Sequence, residues 1–305
     1  MSVRKVEIRW TVLLGLALAL SPVAFAQQNA GQSGGAGQPV ARPIQGRGTP
    51  IKNTPNSVWR SPTPDNSAFD PHNLNGNWEG VVRNTTGKEV SAFTPAGKAA
   101  FDANKPLNAC AGYNDPKSEC ASKLVGISET NDPYVYCDPL GFPRMLFYQM
   151  RHMEMVQTPA KVVQLFQYNA IWREIWTDGR KLPTNVGKPG GPDPRWSGYS
   201  IGHWEGDTFV VNTVGSDDRS WLDPYGDPHT LDMKVEEKYT RMDHDKLKMV
   251  VTVDDPRMYS KPFVAQPGLI FHLEASESLP EQMCVPSEEE EYRSFAAGAD
   301  GVATK

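Results

Sequence analysis

The chain has 305 residues, with 31 Lys and Arg against 36 Asp and Glu, a formal net charge of −5. That length suits one domain with a sizeable core. The acidic balance argues against nucleic acid as a partner, because phosphate binding needs a basic surface.

Residues 1–26 read as an export signal. Arg4, Lys5 and Arg9 make a basic start, an apolar run WTVLLGLALAL follows, and Ala24-Phe25-Ala26 fits the small-x-small cleavage rule. The apolar run is short for a membrane span, so no span is expected after cleavage and the mature chain is expected to be periplasmic or secreted. Cleavage removes three basic residues and Glu7, leaving 28 minus 35, or −7. Residues 27–70 are rich in Gln, Gly, Pro, Asn and Ser and have few large apolar groups. Such a leader buries too little surface to offset its ordering entropy.

The domain is expected over 71–286. It opens with LNGNWEGVV, a first strand carrying Trp78. An insert over 85–144 follows. Within it, Thr94 as N-cap and Pro95 at the first helical position start a short helix. Beyond 145 the pattern becomes β. Short runs rich in Val, Ile, Trp, Tyr and Phe alternate with turn residues: MEMVQ, VVQLFQY, AIWREIW, YSIGHW, TFVVNTV, LDMKVEEKYTRM, KLKMVVTV and GLIFHLE. Roughly eight to ten strands in sequential hairpins predict a mostly β fold, an antiparallel up-and-down meander closing into a barrel or curled sheet. Residues 287–305, opening on a Glu run, read as a solvated, flexible acidic tail.

Side chains alternate across a strand, so each run sorts into two faces. In 231–241, Leu231, Met233, Val235, Glu237 and Tyr239 share the apolar face, which puts Glu237 in the core. In 171–175, Ile171, Arg173 and Ile175 share a face. An inward Arg173 needs a carboxylate, because an unpaired buried charge costs several kcal/mol, and Glu237 is the candidate partner. A turn on Gly206-Asp207 would pair His203 with Val210 and set His203 diagonal to Asn212 on one face. The loop SDDRSWLDPYGDPHT adds Asp218, Asp223 and His229 as acid/base candidates. Its oxygens lack EF-hand spacing, Asp beside Pro and Gly is ordinary turn chemistry, and no metal or cofactor is expected. No Gly-rich phosphate loop occurs.

Four cysteines, Cys110, Cys120, Cys137 and Cys284, in an exported chain suggest disulfides. They allow three pairings. Cys110–Cys120 would close a local loop, and Cys137–Cys284 would tie the start of the main domain to its end. Zinc is the competing use, but no C-x-x-C spacing occurs.

LNGNWEG resembles the Gly-x-Trp first strand of lipocalin-like barrels. The blocks TPAGKAAFDANKP, CDPLGFPR, MEMVQTP, REIWTDGR, GHWEGDTFVVNTVG, DDRSWLDPYGDPH and DDP together resemble a family of secreted proteins found widely in soil bacteria. That resemblance implies export and no particular reaction. Cys137 and Cys284 fall where that family tends to carry cysteine, whereas Cys110 and Cys120 look like additions of this chain.

The function expected from these features is a small-molecule carrier. A largely apolar ligand would lie inside the barrel near Arg173, His203, Asn212, Glu237 and Tyr239. The alternatives are a secreted hydrolase or isomerase using the interior Arg, Glu and His or the Asp/His loop, and a structural or interaction protein.

Overall fold

The structure, a computed structural model, describes residues 68–80, 91–107, 125–147, 152–274, 279 and 282–300. The expected signal peptide, most of the leader, and Cys110 and Cys120 lie outside these residues.

Nine strands close into a barrel in sequence order: β1 (Gly76–Gly80), β2 (His152–Gln157), β3 (Lys161–Phe166), β4 (Trp172–Trp176), β5 (Tyr199–Glu205), β6 (Thr208–Val214), β7 (Lys234–Asp243), β8 (Lys246–Asp254) and β9 (Phe263–Leu273). The barrel closes by antiparallel pairing of β1 with β9, with Trp78 opposite Leu273. One correction to the expected meander concerns direction: β4 and β5 are parallel, with Ile175 opposite Ser200 and Trp176 opposite Ile201. The reason is topological. A closed ring of nine strands cannot alternate direction throughout, so an odd number of its contacts must be parallel. Parallel neighbours need a long crossover, and residues 177–198 supply it.

Alternation places the core. On β7 the buried residues are Val235, Glu237, Tyr239 and Arg241; on β8 they are Leu247, Met249, Val251 and Val253. The β5–β6 turn pairs Glu205 with Thr208 and Trp204 with Phe209, with Gly206 at φ 59. Gly202 is glycine for a packing reason. A Cβ there would lie 2.4 Å from Phe209 Cζ and 2.9 Å from Ile175 Cγ2. β9 carries Pro267, tolerated because its pairing with β8 shifts register between Met249 and Val251.

Helix α1 (Pro95–Ala103) starts as its sequence predicts, with Thr94 Oγ1 accepting from Gly97 N at 3.0 Å. A 3-10 turn (Pro133–Tyr136) precedes the short α2 (Arg144–Phe147). Leu140, Phe142, Met145, Leu146 and Phe147 join the same apolar cluster as the barrel's inward residues. The carboxy-terminal stretch differs from expectation. It forms α3 (Pro286–Asp300), whose first turn carries Glu288 and Glu289, where negative charge favours the helix dipole. The Cys137–Cys284 disulfide forms, with Cα atoms 5.5 Å apart, and ties the entry of the main domain to the start of α3. Among the described residues no helix is long and apolar enough to cross a membrane.

Candidate functional site

Two polar features meet at β4. One lies inside the barrel, and the other lies over the parallel seam.

Inside, Arg173 on β4 and Glu237 on β7 pair as their faces predict. Arg173 Nη2 donates to Glu237 Oε1 at 2.8 Å and to Oε2 at 3.0 Å, with side chains 2% and 0% exposed. Tyr239 donates its hydroxyl to Glu237 Oε2 at 2.7 Å. Gln164 Nε2 then donates to the Tyr239 hydroxyl at 3.1 Å. Burial, followed by the Glu237 charge, pushes the Tyr239 hydroxyl well above its ordinary range, so it stays a donor. The Phe142 ring covers the Arg173 guanidinium at 4.1 Å. Arg173 Nε and Nη1 and Gln164 Oε1 are buried without a hydrogen-bond partner. Gln164 is absent from the sequence-based set. Its strand reads KVVQLF, apolar on both faces, so alternation alone gives no reason to place the glutamine inside.

Over the seam, a cleft of about 790 Å³ opens between β4, the 177–198 crossover and β5. Arg173, Ile171 and Glu174 line it from the β4 side, Leu182, Pro183 and Trp196 from the crossover, and Tyr199 and Ile201 from β5. Trp172 also lines it and is 58% exposed. Cations cover the other aromatic planes. Arg180 lies over Trp176 at 3.5 Å, with Lys161 4.8 Å from the same ring. Arg195 lies over Tyr199 at 4.4 Å and Arg219 over Trp196 at 4.3 Å. Two lining charges are compensated at the surface: Arg180 by Asp178 at 2.6 Å, and Glu174 by Lys161. The Arg180 hydrogen bonds hold Asp178 below the usual carboxylate range. The crossover's WTDGR, GPDP and RWSG segments look like turn chemistry in sequence. Only the parallel pairing of β4 and β5 turns them into a wall.

The hairpin pair is placed outside. Tyr199, Ile201, His203, Asn212 and Val214 face outward, while Ser200, Phe209, Val211 and Thr213 are buried. His203 is exposed and meets Glu205 through Nε2 at 3.0 Å. His203 and Asn212 therefore do not join Arg173, Glu237 and Tyr239 in the interior, which corrects the expected ligand set. The polar pair on the inner face is Ser200 and Thr213, whose hydroxyls lie 2.9 Å apart.

The 216–230 loop is largely buried. His229 Nε2 lies 3.1 Å from Ser220 Oγ, and Ser220 donates to Asp217 O at 3.0 Å. Neither Asp218 nor Asp223 bonds His229, as an acid/base set would require. Asp218 is exposed, and Asp223 Oδ1 accepts from Tyr225 N at 2.8 Å and Asp227 N at 3.3 Å. Burial lowers the His229 pKa and raises that of Asp223. Ser220 is 3% exposed, and a Cβ on Gly141 would lie 2.0 Å from its Oγ. The hydroxyl is sealed by backbone and is not offered to a substrate. Asp255 braces the loop, accepting from Thr230 N at 2.6 Å and Thr230 Oγ1 at 3.1 Å. A second buried pair was invisible to alternation because it lies in the insert: Arg144 Nη1 and Nη2 fork onto Asp132 Oδ1 and Oδ2 at 2.7 and 2.6 Å. Among the described residues no group of three or more His, Cys, Asp or Glu side chains is gathered as a metal ion would need.

No family model, curated protein or solved structure matches the chain.

Proposed function

We propose that this is an exported barrel protein that binds a small, planar, largely apolar molecule in the seam cleft. The observation that carries the reading is the exposed face of Trp172 in a cleft of about 790 Å³ walled by Ile171, Leu182, Pro183 and Ile201. A cleft of that size, apolar with a few convergent polar groups, suits one small ligand. An exposed tryptophan offers a large flat contact surface at low entropy cost. The signal-like start and the Cys137–Cys284 disulfide support export.

The site expected from sequence was the barrel interior. Around Arg173 and Glu237 that space holds Phe142, Tyr239 and Gln164, which favours the seam as the place for a ligand. The parallel pairing also leaves the seam with only two paired positions in register. Ligand sites in β folds often lie where regular pairing gives way to loops.

The test is a thermal-shift screen of planar apolar compounds against the wild type and Ser197→Trp, which narrows the cleft. Compounds that raise the Tm of the wild type and leave Ser197→Trp unmoved support the reading. Compounds that stabilise both equally place the ligand elsewhere and overturn it.

A further inference from the structure

We propose that the ligand of the seam cleft is an anion: a carboxylate attached to a planar apolar body. This inference rests on the binding reading above and adds the charge.

The cleft is lined by four cations, Arg173, Arg180, Lys181 and Arg195, and one carboxylate, Glu174. The chain as a whole carries −5. A cationic lining on an acidic protein marks a local departure from the surface average. Much of that charge is already answered. Glu237 holds Arg173, Asp178 holds Arg180, and Lys161 holds Glu174. Lys181 and Arg195 remain, both exposed and both without a carboxylate partner among the described residues. Arg195 is already oriented: its guanidinium rests on the Tyr199 ring at 4.4 Å, and Tyr199 is fixed by donating its hydroxyl to Asp193 O at 2.7 Å. A guanidinium parked on an aromatic face keeps its donor edge available and has lost part of its rotamer freedom before any ligand arrives. The open Trp172 face supplies the platform for the apolar body.

The same cations could hold an acidic sugar, and tryptophan also stacks on sugars. The walls favour the aromatic carboxylate. Ile171, Leu182, Pro183 and Ile201 offer no hydrogen bonds to ring hydroxyls, and Glu174 is engaged by Lys161.

The experiment measures Kd by tryptophan fluorescence on the full mature protein with three probes: 2-naphthoate, 2-naphthylmethanol and D-glucuronate. The wild type is compared with Trp172→Ala, Lys181→Gln and Arg195→Gln, all changes at exposed side chains. The expected result is that 2-naphthoate binds at least about tenfold more tightly than the neutral alcohol. Each cation change should weaken 2-naphthoate about fivefold, as a solvated charge contact at about 4 Å implies, and leave the alcohol unmoved. Trp172→Ala should weaken both naphthyl probes. Raising the salt from 0.05 to 0.5 M should erode the preference, because exposed charges are screened. Equal binding of acid and alcohol, both lost in Trp172→Ala, overturns the charge inference and leaves the cleft reading standing. Preferential binding of glucuronate overturns the ligand class. A charge preference that survives both cation changes and Trp172→Ala puts the anion elsewhere and overturns the inference. Binding of none of the three probes overturns it as well, while the thermal-shift screen decides the cleft reading separately.

Discussion

Arg173 on β4 reaches Glu237 on β7 across the barrel interior through one nitrogen, Nη2, at 2.8 and 3.0 Å. The Tyr239 hydroxyl supplies the carboxylate's other hydrogen bond. The contact is not a two-nitrogen fork, so Arg173 Nε and Nη1 remain buried without acceptors, with the Phe142 ring over the guanidinium. A pair with that much unmet hydrogen bonding gives little net stability, yet it is costly to break.

Glu237→Gln should therefore destabilise the protein by about 3–5 kcal/mol, because it leaves the Arg173 charge buried without a counterion. Arg173→Met with Glu237→Leu should recover most of that loss, since both desolvation costs vanish together. Urea unfolding of the wild type, Arg173→Met, Glu237→Leu and the double variant measures the coupling, and a value near zero would contradict the pairing.

The Cys137–Cys284 bond spans 147 residues of sequence. In the chain-entropy model a loop of that length restricts the unfolded ensemble by about 5 kcal/mol. Cys137→Ser with Cys284→Ser should lower the guanidinium midpoint accordingly. An unchanged midpoint would mean that the unfolded chain is already constrained in that region.

Acid should weaken the fold through His229. Burial lowers its pKa in the folded state below the ordinary value of 6.5. Below pH 6.5 the unfolded chain then binds a proton that the folded chain does not, so stability rises with pH through that window and falls on acidification. One proton sets a ceiling of about 1.4 kcal/mol per pH unit. Asp223, raised by burial, acts in the opposite sense and only above the ordinary aspartate value of 3.8. His229→Gln should flatten the stability profile between pH 6.5 and 5. Identical profiles for the wild type and His229→Gln between pH 6.5 and 5 would contradict a neutral buried His229.

Gly202 tests the packing at the seam. Alanine there would place its methyl against Phe209 Cζ and Ile175 Cγ2. Crowding of that kind costs about 1–3 kcal/mol. Phe209→Leu in the Gly202→Ala background should relieve the clash and restore part of the loss, measured as a rise in Tm over the single variant.

Much of the barrel was legible because alternation is a two-fold code read residue by residue. LDMKVEEKY places Glu237 and Tyr239 inside, and IWREI places Arg173 with them. The β5–β6 register followed from one turn. The hairpin faces did not follow, because apolar residues lie on both sides. Val210 packs on the outer side beside His203, and Ser200 and Thr213 sit on the inner side. The cleft was beyond reach for a different reason. It depends on β4 and β5 running parallel, a consequence of closing an odd number of strands, and no local pattern encodes that. The helical state of 286–300 was missed because the Glu run was weighed as repelling charge. Glu288 and Glu289 in the first turn also sit where the helix dipole favours them.

A small molecule held in the seam cleft should leave with the protein when it is purified. The most direct measurement is mass spectrometry of small molecules released from protein isolated from its native compartment. Wild type, Ser197→Trp and the interior double variant Gln164→Leu/Tyr239→Phe, whose sites lie outside the cleft lining, are compared. The expected result is a released compound in the wild type that is absent from Ser197→Trp and retained by the interior variant. A compound retained in Ser197→Trp and lost from the interior variant would contradict it and return the site to the barrel axis.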